Sequence, residues 1–373
     1  MARARGPVVS EALRHRSRQP GRGLGCGGVK LVYHGPFWAG STALQRLEAF
    51  GAVPGLTVLG HEAGTAPTDT ATLGQRLAWR LGWPIDAARE RARLLAFVAQ
   101  TRPDVVLIDS SKVFGPLDLR ALRAAGARLV AYYTPDDALN PRNLKAPLRA
   151  SLSDWDVFFT TKSFNLPELS ALGVRRPVLV GKAFDPVLHR PLSPAQVGPQ
   201  FERFDLVFAG SFEAERALAL QALARSGLSV VVYGGVIGGW PSGGPHPDIT
   251  LRPAAFGQAY VEALHHGRLA LGFLRRQSRD RITQRSLEIT AAGRPMLAEK
   301  TDEHDAHFKD GRDYAGFTDI DGLIALARRY LADPAARRAL GEAGRRRCLD
   351  SGYSTRARAE YMVEILDAAL SAP

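Results

Sequence analysis

The chain has 373 residues, of which 45% are hydrophobic and 23% charged, so it is long enough to bury the cores of two ordinary domains. Its apolar runs have the length of β-strands, far below the roughly 18 to 20 residues of a membrane-spanning helix, which excludes an integral membrane protein. Only Cys26 and Cys348 are present, so a disulfide framework is excluded and a reducing, cytoplasmic compartment is expected.

The formal net charge of +12 favours polyanionic partners, among them phosphorylated substrates and an anionic membrane surface at the inner face. Nucleic acid is the less favoured partner, because basic and aromatic residues do not interleave and no helix-turn-helix pattern occurs. A high content of arginine across the whole proteome would explain the same charge without any such partner.

Residues 1–28 are rich in Arg, Gly, Pro and Ser and are predicted to be a disordered basic tail. From residue 29 to 190, short apolar runs alternate with helical segments, including one long predicted helix from Thr72 to Gln100. The same alternation restarts over residues 200–354, and residues 355–373 are predicted to form a helix that packs back across the junction. Such alternation indicates an α/β protein with two Rossmann-like, doubly wound parallel-sheet domains.

The segment GPFWAGSTALQR follows the first predicted strand and precedes a helix. Ligands of open α/β sheets collect at this edge, so Gly40, Ser41 and Thr42 are candidate binding residues. An ordinary loop with a helix cap would have the same sequence. Asp136 and Asp137 end another predicted strand at this edge, and either is a candidate base or a ligand for an acceptor hydroxyl, although turn-capping aspartates are common.

The segment RRQSRDRITQRSLEITAAGRPMLAE is the densest candidate site. A basic loop leads into a helix that opens near Thr283, where free amides favour a diphosphate. Arg285 can hold phosphate oxygens as a fork, and Glu288, one turn later, can accept both ribose hydroxyls. Gly293 is predicted to end the helix in the left-handed conformation. The alternative is an amphipathic helix with solvated charges.

The segment TDEHDAHF contains His304 and His307, which are potential metal ligands. A third firmly placed ligand is missing there. We predict a solvated loop and no metal site. His265 and His266 end another predicted helix, where cationic side chains would complement the helix dipole.

The segments QRSLEITAAGRPMLAEKTDEH and FKDGRDYAGFTDIDGLIALARRYLADPAARRALGEAGRRRCLDSGYSTRARAEYM resemble those of CgeB-like (spore-maturation type) glycosyltransferases. These enzymes are a branch of the group-1 transferases related to glycosyltransferase family 4. The N-terminal KLVYHGPFWAGSTALQRLEAF and the linker FDPVLHRPL are also similar, so the resemblance extends over residues 29–370.

The resemblance implies a GT-B fold, with two domains facing across a cleft, and transfer of a sugar from a nucleotide-diphosphate sugar without a tightly bound cofactor or a required metal. The implied acceptor is a glycan, a lipid-linked molecule or a small molecule. Two rival functions remain open: a sugar-nucleotide 2-epimerase, and a catalytically degenerate GT-B module for nucleotide binding or assembly.

The resemblance also assigns roles to residues of the second domain. The E-x7-E pair of the related family-4 enzymes corresponds to Asp280 and Glu288, with Asp280 replacing the Glu that contacts the donor sugar. Arg216 corresponds to the Arg expected after the first strand of this domain, and the Lys that accompanies it is absent. Gly210 and Ser211, in the same GSFEAER segment, are assigned to the nucleotide site.

Overall fold

The computed structural model describes residues 28–38, 40–64, 72–211, 213–234, 240 and 244–372. The predicted disordered tail falls almost entirely outside these ranges. The described residues form two compact units: one from Ala183 to Ser354, and one containing the residues up to Lys182 together with those from Thr355 onward.

The N-terminal unit is built on six parallel strands in the order β2-β1-β3-β4-β5-β6. The strands are β1 (Val29–Gly35), β2 (Leu56–Glu62), β3 (Val105–Asp109), β4 (Leu129–Thr134), β5 (Val157–Thr160) and β6 (Pro177–Leu179). Every residue of β3, β4 and β5 is buried, as expected for parallel strands covered on both faces. The apolar runs in the sequence therefore mark the centre of this sheet.

Helices connect these strands and cover the sheet. They are α1 (Thr42–Gly51), α2 (Leu73–Arg80), α3 (Glu90–Thr101), α4 (Pro116–Ala124), α5 (Ala146–Ala150), α6 (Asn165–Ala171) and, at the end of the chain, α14 (Thr355–Leu370). The last helix belongs to this unit and contacts α1, with Met362, Val363 and Leu366 buried.

The single long helix predicted from Thr72 to Gln100 is wrong, because the chain forms α2 and α3 with a turn between them. Gly82 follows α2 with φ of +87°, a left-handed conformation that ends a helix at little cost for glycine. Pro84 comes next, and Asp86 accepts hydrogen bonds from the backbone N–H groups of Glu90 and Arg91, which starts α3 afresh.

The C-terminal unit contains a second parallel sheet in the order β12-β11-β10-β7-β8-β9. Its strands are β7 (Phe204–Ala209), β8 (Val230–Tyr233), β9 (Ile249–Arg252), β10 (Gly267–Gly272), β11 (Met296–Glu299) and β12 (Ala315–Phe317). Its helices are α7 (Pro194–Val197), α8 (Ala214–Arg225), α9 (Gly257–Leu264), α10 (Gln284–Ala291), α11 (Asp302–His307), α12 (Ile320–Ala332) and α13 (Pro334–Asp350). The predicted fold class, two doubly wound parallel-sheet domains, is confirmed. None of the described helices combines the length and the apolar character that a bilayer crossing requires.

Candidate functional site

Helix α10 carries the main candidate site of the C-terminal unit. Thr283 precedes it in an extended conformation, with its backbone N–H donating to Ser286 Oγ at 3.4 Å. Residues 286–291 are all buried, so this is a core helix and not the amphipathic surface helix that the sequence left open. Its first turn contains no acidic residue, and Arg285 lies in that turn. The amides and Arg285 therefore favour an anion at this end of the helix.

The guanidinium of Arg285 lies against the backbone where β7 ends. A Cβ atom added to Gly210 would be 3.3 Å from Arg285 Cζ, so glycine allows this close approach. Burial lowers the pKa of Arg216, and the positive charges of Arg285 and Arg275 lower it further, although Glu213 opposes them. The region gathers three guanidinium groups at the carboxyl edge of the sheet, where a diphosphate would relieve their repulsion.

Arg216 is buried, and its guanidinium donates hydrogen bonds to two main-chain carbonyls. Its Nη1 donates to the Ser211 carbonyl and its Nη2 to the Leu274 carbonyl, both at 2.9 Å. The Nε donor has no partner among the described residues. Arg216 therefore ties the loop after β7 to the loop after β10, while its predicted contact with the leaving diphosphate stays a prediction.

Glu288 is held by two side chains, neither of which was predicted from the sequence. Gln284 Nε2 donates to Glu288 Oε1 at 3.0 Å, and His189 Nε2 lies 3.7 Å from the same oxygen. The backbone N–H of Asp185 donates to His189 Nδ1 at 2.9 Å, so a neutral His189 carries its proton on Nε2, facing the carboxylate. These contacts orient Glu288, whose side chain is 12% exposed.

Tyr260 of α9 completes the surroundings of Glu288. Burial and, to a smaller degree, the Glu288 carboxylate hold the pKa of Tyr260 well above its usual value. Its ring meets that of His189 edge to face, with the centroids 6.2 Å apart. The phenol therefore stays protonated at neutral pH and adds a third polar group near the Glu288 carboxylate, besides Gln284 and His189.

Gly293 ends α10 as predicted, with φ of +70°. Helix α13 packs closely on this turn, since a Cβ atom added to Gly341 would be 2.5 Å from the Gly293 carbonyl oxygen. Both glycines are thus needed for the same contact, one for its backbone conformation and the other for the absence of a side chain.

Gly341→Ala is expected to destabilise the protein by about 2 kcal/mol. Overpacking of a tight contact costs about 1 to 3 kcal/mol, and alanine regains up to about 1 kcal/mol of helix propensity. Urea unfolding measures the change. Gly51→Ala is the matched control, because the added methyl group would meet nothing nearer than 3.7 Å, and it should leave stability unchanged or raise it. An equal loss for both variants would contradict the close contact.

Asp280 lies in the turn that leads into α10. Its carboxylate accepts from the backbone N–H of Arg275 at 3.3 Å, and its own backbone N–H donates to the Arg275 carbonyl at 3.1 Å. Arg275 Nε in turn donates to Glu213 at 2.9 Å. The turn thus fixes Asp280 near the opening of the helix, and its role towards the donor sugar stays a prediction.

The solvated loop predicted for His304 and His307 is wrong. Both histidines lie in α11 and are buried, and His304 Nε2 is 2.8 Å from Ser286 Oγ of α10. Burial lowers the pKa of His304 to about 4 and that of His265 to about 4, so neither is cationic at neutral pH. The helix-dipole role expected of His265 is therefore wrong as well. Within the described ranges, no three His, Cys, Asp or Glu side chains form a group that could hold a metal ion.

The candidate binding residues Gly40, Ser41 and Thr42 lie in the loop before α1 and at the start of that helix. Ser41 caps α1 by accepting from the backbone N–H of Leu44 at 3.1 Å, and its hydroxyl donates to the Pro36 carbonyl at 2.8 Å. Gly40 has φ of +85°, and Thr42 is the first residue of the helix. The hydroxyl of Ser41 thus serves the loop itself, and a ligand at this edge would meet chiefly backbone groups.

The two adjacent aspartates after β4 differ in burial. Asp137 is buried, and its Oδ1 accepts from Asn165 Nδ2 at 3.0 Å and from the Leu139 N–H at 3.2 Å. Asp136 is exposed. Of the two predicted bases, only Asp136 is accessible to an acceptor.

Known proteins match the chain in both sequence pattern and fold. Residues 216–364 match the family model described as glycosyl transferase-like. No curated protein sequence matches the chain. Among solved structures, sucrose-phosphate synthase from Thermosynechococcus elongatus superposes with a TM-score of 0.64 at 14% identity, covering 90% of this chain and 98% of that one.

Two further structures align over similar lengths. Anabaena HepE in complex with UDP-glucose has a TM-score of 0.63 at 13% identity, covering 91% of this chain and 99% of that chain. A glycosyltransferase from Rickettsia africae has a TM-score of 0.63 at 10% identity, covering 92% and 99%. At these identities the superpositions show the fold, which is GT-B. The family match shows that residues 216–364 are similar in sequence to glycosyl transferase-like proteins.

Proposed function

We propose that the chain transfers a sugar from a nucleoside-diphosphate sugar bound by the C-terminal unit to an acceptor bound by the N-terminal unit. The arrangement of Arg285 and Glu288 carries this proposal. Arg285 lies in the first turn of α10 against Gly210, and Glu288 is oriented one turn later by Gln284 and His189. A phosphate-binding group and a ribose-binding group are therefore adjacent on one rigid helix. UDP-glucose, present in the HepE structure, is the first donor to test.

In the proposed reaction, the bond between the sugar and the diphosphate breaks while a bond to the acceptor oxygen forms. The negative charge that develops on the leaving diphosphate is stabilised by the α10 amides and the neighbouring guanidinium groups, a role that does not require a metal. If the configuration is retained, the leaving phosphate takes the acceptor proton. If it is inverted, the exposed Asp136 is the candidate base. The subtype that we propose, on the residues of QRSLEITAAGRPMLAE, is CgeB-like.

Glu288→Ala is expected to weaken nucleotide binding about 10- to 100-fold, because charge-assisted hydrogen bonds to the ribose, worth about 1.5 to 3 kcal/mol, are lost. Thermal shift with UDP, GDP and TDP first identifies the base, and calorimetry then gives the dissociation constants. Glu342→Ala, which removes a carboxylate 67% exposed on α13, should leave binding unchanged.

Stabilisation by none of the three nucleotides at saturating concentration would refute the proposal. Incubation with the sugar nucleotide alone tests the epimerase alternative, since conversion of the sugar without an acceptor would favour it. Nucleotide binding with neither conversion nor transfer would favour a degenerate module.

A further inference from the structure

The N-terminal unit contains a pocket of about 880 Å³ at the carboxyl edge of β1 and β3. Helix α2 and the connection between α2 and α3 form one wall, and the loop after β3 forms the other. Five of the lining residues carry positive, apolar or hydroxyl groups that would face a ligand: Trp79, Arg80, Ile85, Ser111 and Lys112. A pocket of this size holds a molecule as large as a typical small ligand.

The acidic side chains of the pocket wall are already engaged within the protein. Each of the three carboxylates has a basic partner or an imidazole partner on another part of the unit. The pairs are Asp109 with Arg46 at 2.5 Å, Asp86 with Arg91 at 3.2 Å, and Glu90 with His34 at 2.7 Å. The carboxylates of the lining are therefore partnered, whereas the exposed Asp136, which is not part of the lining, interacts with Lys112.

The basic side chains of the wall supply its positive charge. Burial lowers the pKa of Lys112, an effect that Asp136 partly offsets, so its ammonium would gain from a further anion. Lys112 Nζ lies 5.4 Å from the centroid of the Trp79 ring, and Lys145 Nζ lies 4.8 Å from the same centroid. Arg80 is an exposed part of the lining. Two ammonium groups thus lie near one indole ring, and that of Lys145, which is not part of the lining, also donates to the Trp79 and Pro141 carbonyls.

Apolar and hydroxyl groups complete the wall. Trp79 and Ile85 both line the pocket and remain 40% and 55% exposed. Ser111 Oγ is shielded from solvent and has no hydrogen-bond partner among the described residues. The segment that forms the wall also exposes Leu77, Leu81 and Trp83. Exposed aromatic and aliphatic groups in one segment mark a surface for an apolar ligand.

We propose that this pocket binds an anionic amphiphile, a molecule with a phosphate or carboxylate group held near Lys112 and an apolar portion against Trp79 and Ile85. The inference rests on the proposed function, because it assigns the acceptor of the transfer to this chemical class. The acceptor is either a soluble molecule or a lipid in a bilayer, and both share the same head-and-tail chemistry.

Calorimetry of the full chain with octyl phosphate, below its micellar concentration, tests the proposal. Octyl glucoside supplies the same tail with a neutral head, and inorganic phosphate supplies the head alone. We expect octyl phosphate to bind at least about tenfold more tightly than either, and Lys112→Met to remove about tenfold of that affinity, as for loss of one charge-assisted contact. Arg80→Met should act in the same direction. Arg149→Met, which removes an exposed charge on α5, should change nothing.

Equal affinity for octyl phosphate and octyl glucoside, or unchanged affinity in both Lys112→Met and Arg80→Met, would overturn the proposal. Vesicles of phosphatidylcholine containing phosphatidylglycerol distinguish a lipid source. The protein could instead fail to bind octyl phosphate and bind the vesicles equally well with and without Lys112→Met. That result would place anion recognition on the protein surface and would overturn the proposed pocket. UDP binding, measured in each variant, should be unaffected. Its absence in the wild type would count against the proposed function and not against the pocket.

Discussion

Arg285→Met is expected to weaken binding of the nucleoside diphosphate about 100-fold, the largest functional effect of any single substitution considered. The side chain would form a fork on the phosphate oxygens at a site where the α10 amides also face the anion, and such contacts contribute about 3 kcal/mol at most. Methionine keeps much of the length and apolar stem of arginine. The loss would therefore measure the guanidinium and not the packing.

Ligand fragments distinguish this role from that of Glu288. Arg285→Met should weaken UDP and inorganic pyrophosphate but leave uridine unchanged, whereas Glu288→Ala should weaken uridine and leave pyrophosphate unchanged. Arg285→Lys should recover only part of the affinity, because an ammonium keeps the charge without the planar fork. The same loss of uridine binding in both variants would contradict the separation of phosphate and ribose along α10.

Arg276→Met is the matched control. Arg276 belongs to the basic loop that leads into α10, and its Nε lies 3.0 Å from a Glu215 oxygen, but its side chain is 74% exposed. An exposed ion pair contributes at most about 1 kcal/mol, so this substitution should change nucleotide affinity little. Comparable losses in the two variants would indicate a diffuse effect of net charge, and the proposed position of the diphosphate would be wrong.

The sequence predicted the parts of the fold and of the candidate site that depend on local signals. Parallel strands buried on both faces leave continuous apolar runs, which located both sheets. Thr283 before α10 and Gly293 after it are cap residues with a local physical reason, so the bounds of α10 could be predicted from the sequence. Arg285 and Glu288 could be paired because one helical turn separates them.

Features that depend on tertiary contacts could not be predicted from the sequence. His189 reaches Glu288 from a segment that precedes the second sheet, and only the fold brings the two together. The buried state of His304 likewise depends on Ser286 of another helix, whereas its acidic neighbours in the sequence suggested solvent. Asp136 and Asp137 are adjacent and chemically alike, so the contact between Asp137 and Asn165, which separates their roles, could not be anticipated.

The protein is expected to lose stability as the pH falls from about 6.5 to about 4, and His304 and His265 contribute to this loss in the C-terminal unit. Burial lowers the pKa of each histidine to about 4, against 6.5 in the unfolded chain. In this window the unfolded state binds more protons than the folded state, so the free energy of unfolding falls with pH. Each histidine accounts for a loss on the order of 3 kcal/mol when the window has been crossed.

Hydrogen bonds of the folded state favour the neutral form of His265, which explains why stability falls as the pH falls. Its Nε2 accepts from the backbone N–H of Leu192 at 3.0 Å, and its Nδ1 faces the Val261 carbonyl at 2.8 Å, so a second proton on the ring would displace the Leu192 contact. Carboxylates with lowered pKa, such as Asp310 and Asp313, lose their contribution only below about 4, which separates the two effects.

Urea unfolding at fixed ionic strength from pH 8 to pH 4 measures the slope. His265→Gln should lower stability at pH 8, because the contacts of the ring are lost, and should also flatten the slope between pH 6.5 and pH 4. His246→Gln, which replaces a partly exposed histidine of the same unit, should leave the slope as it is. If His265→Gln kept the full slope, the ring would be solvated in the native protein, and the close packing of this unit around neutral histidines would be wrong. The change in slope between the wild type and His265→Gln therefore reports on the buried core of the C-terminal unit and requires no ligand.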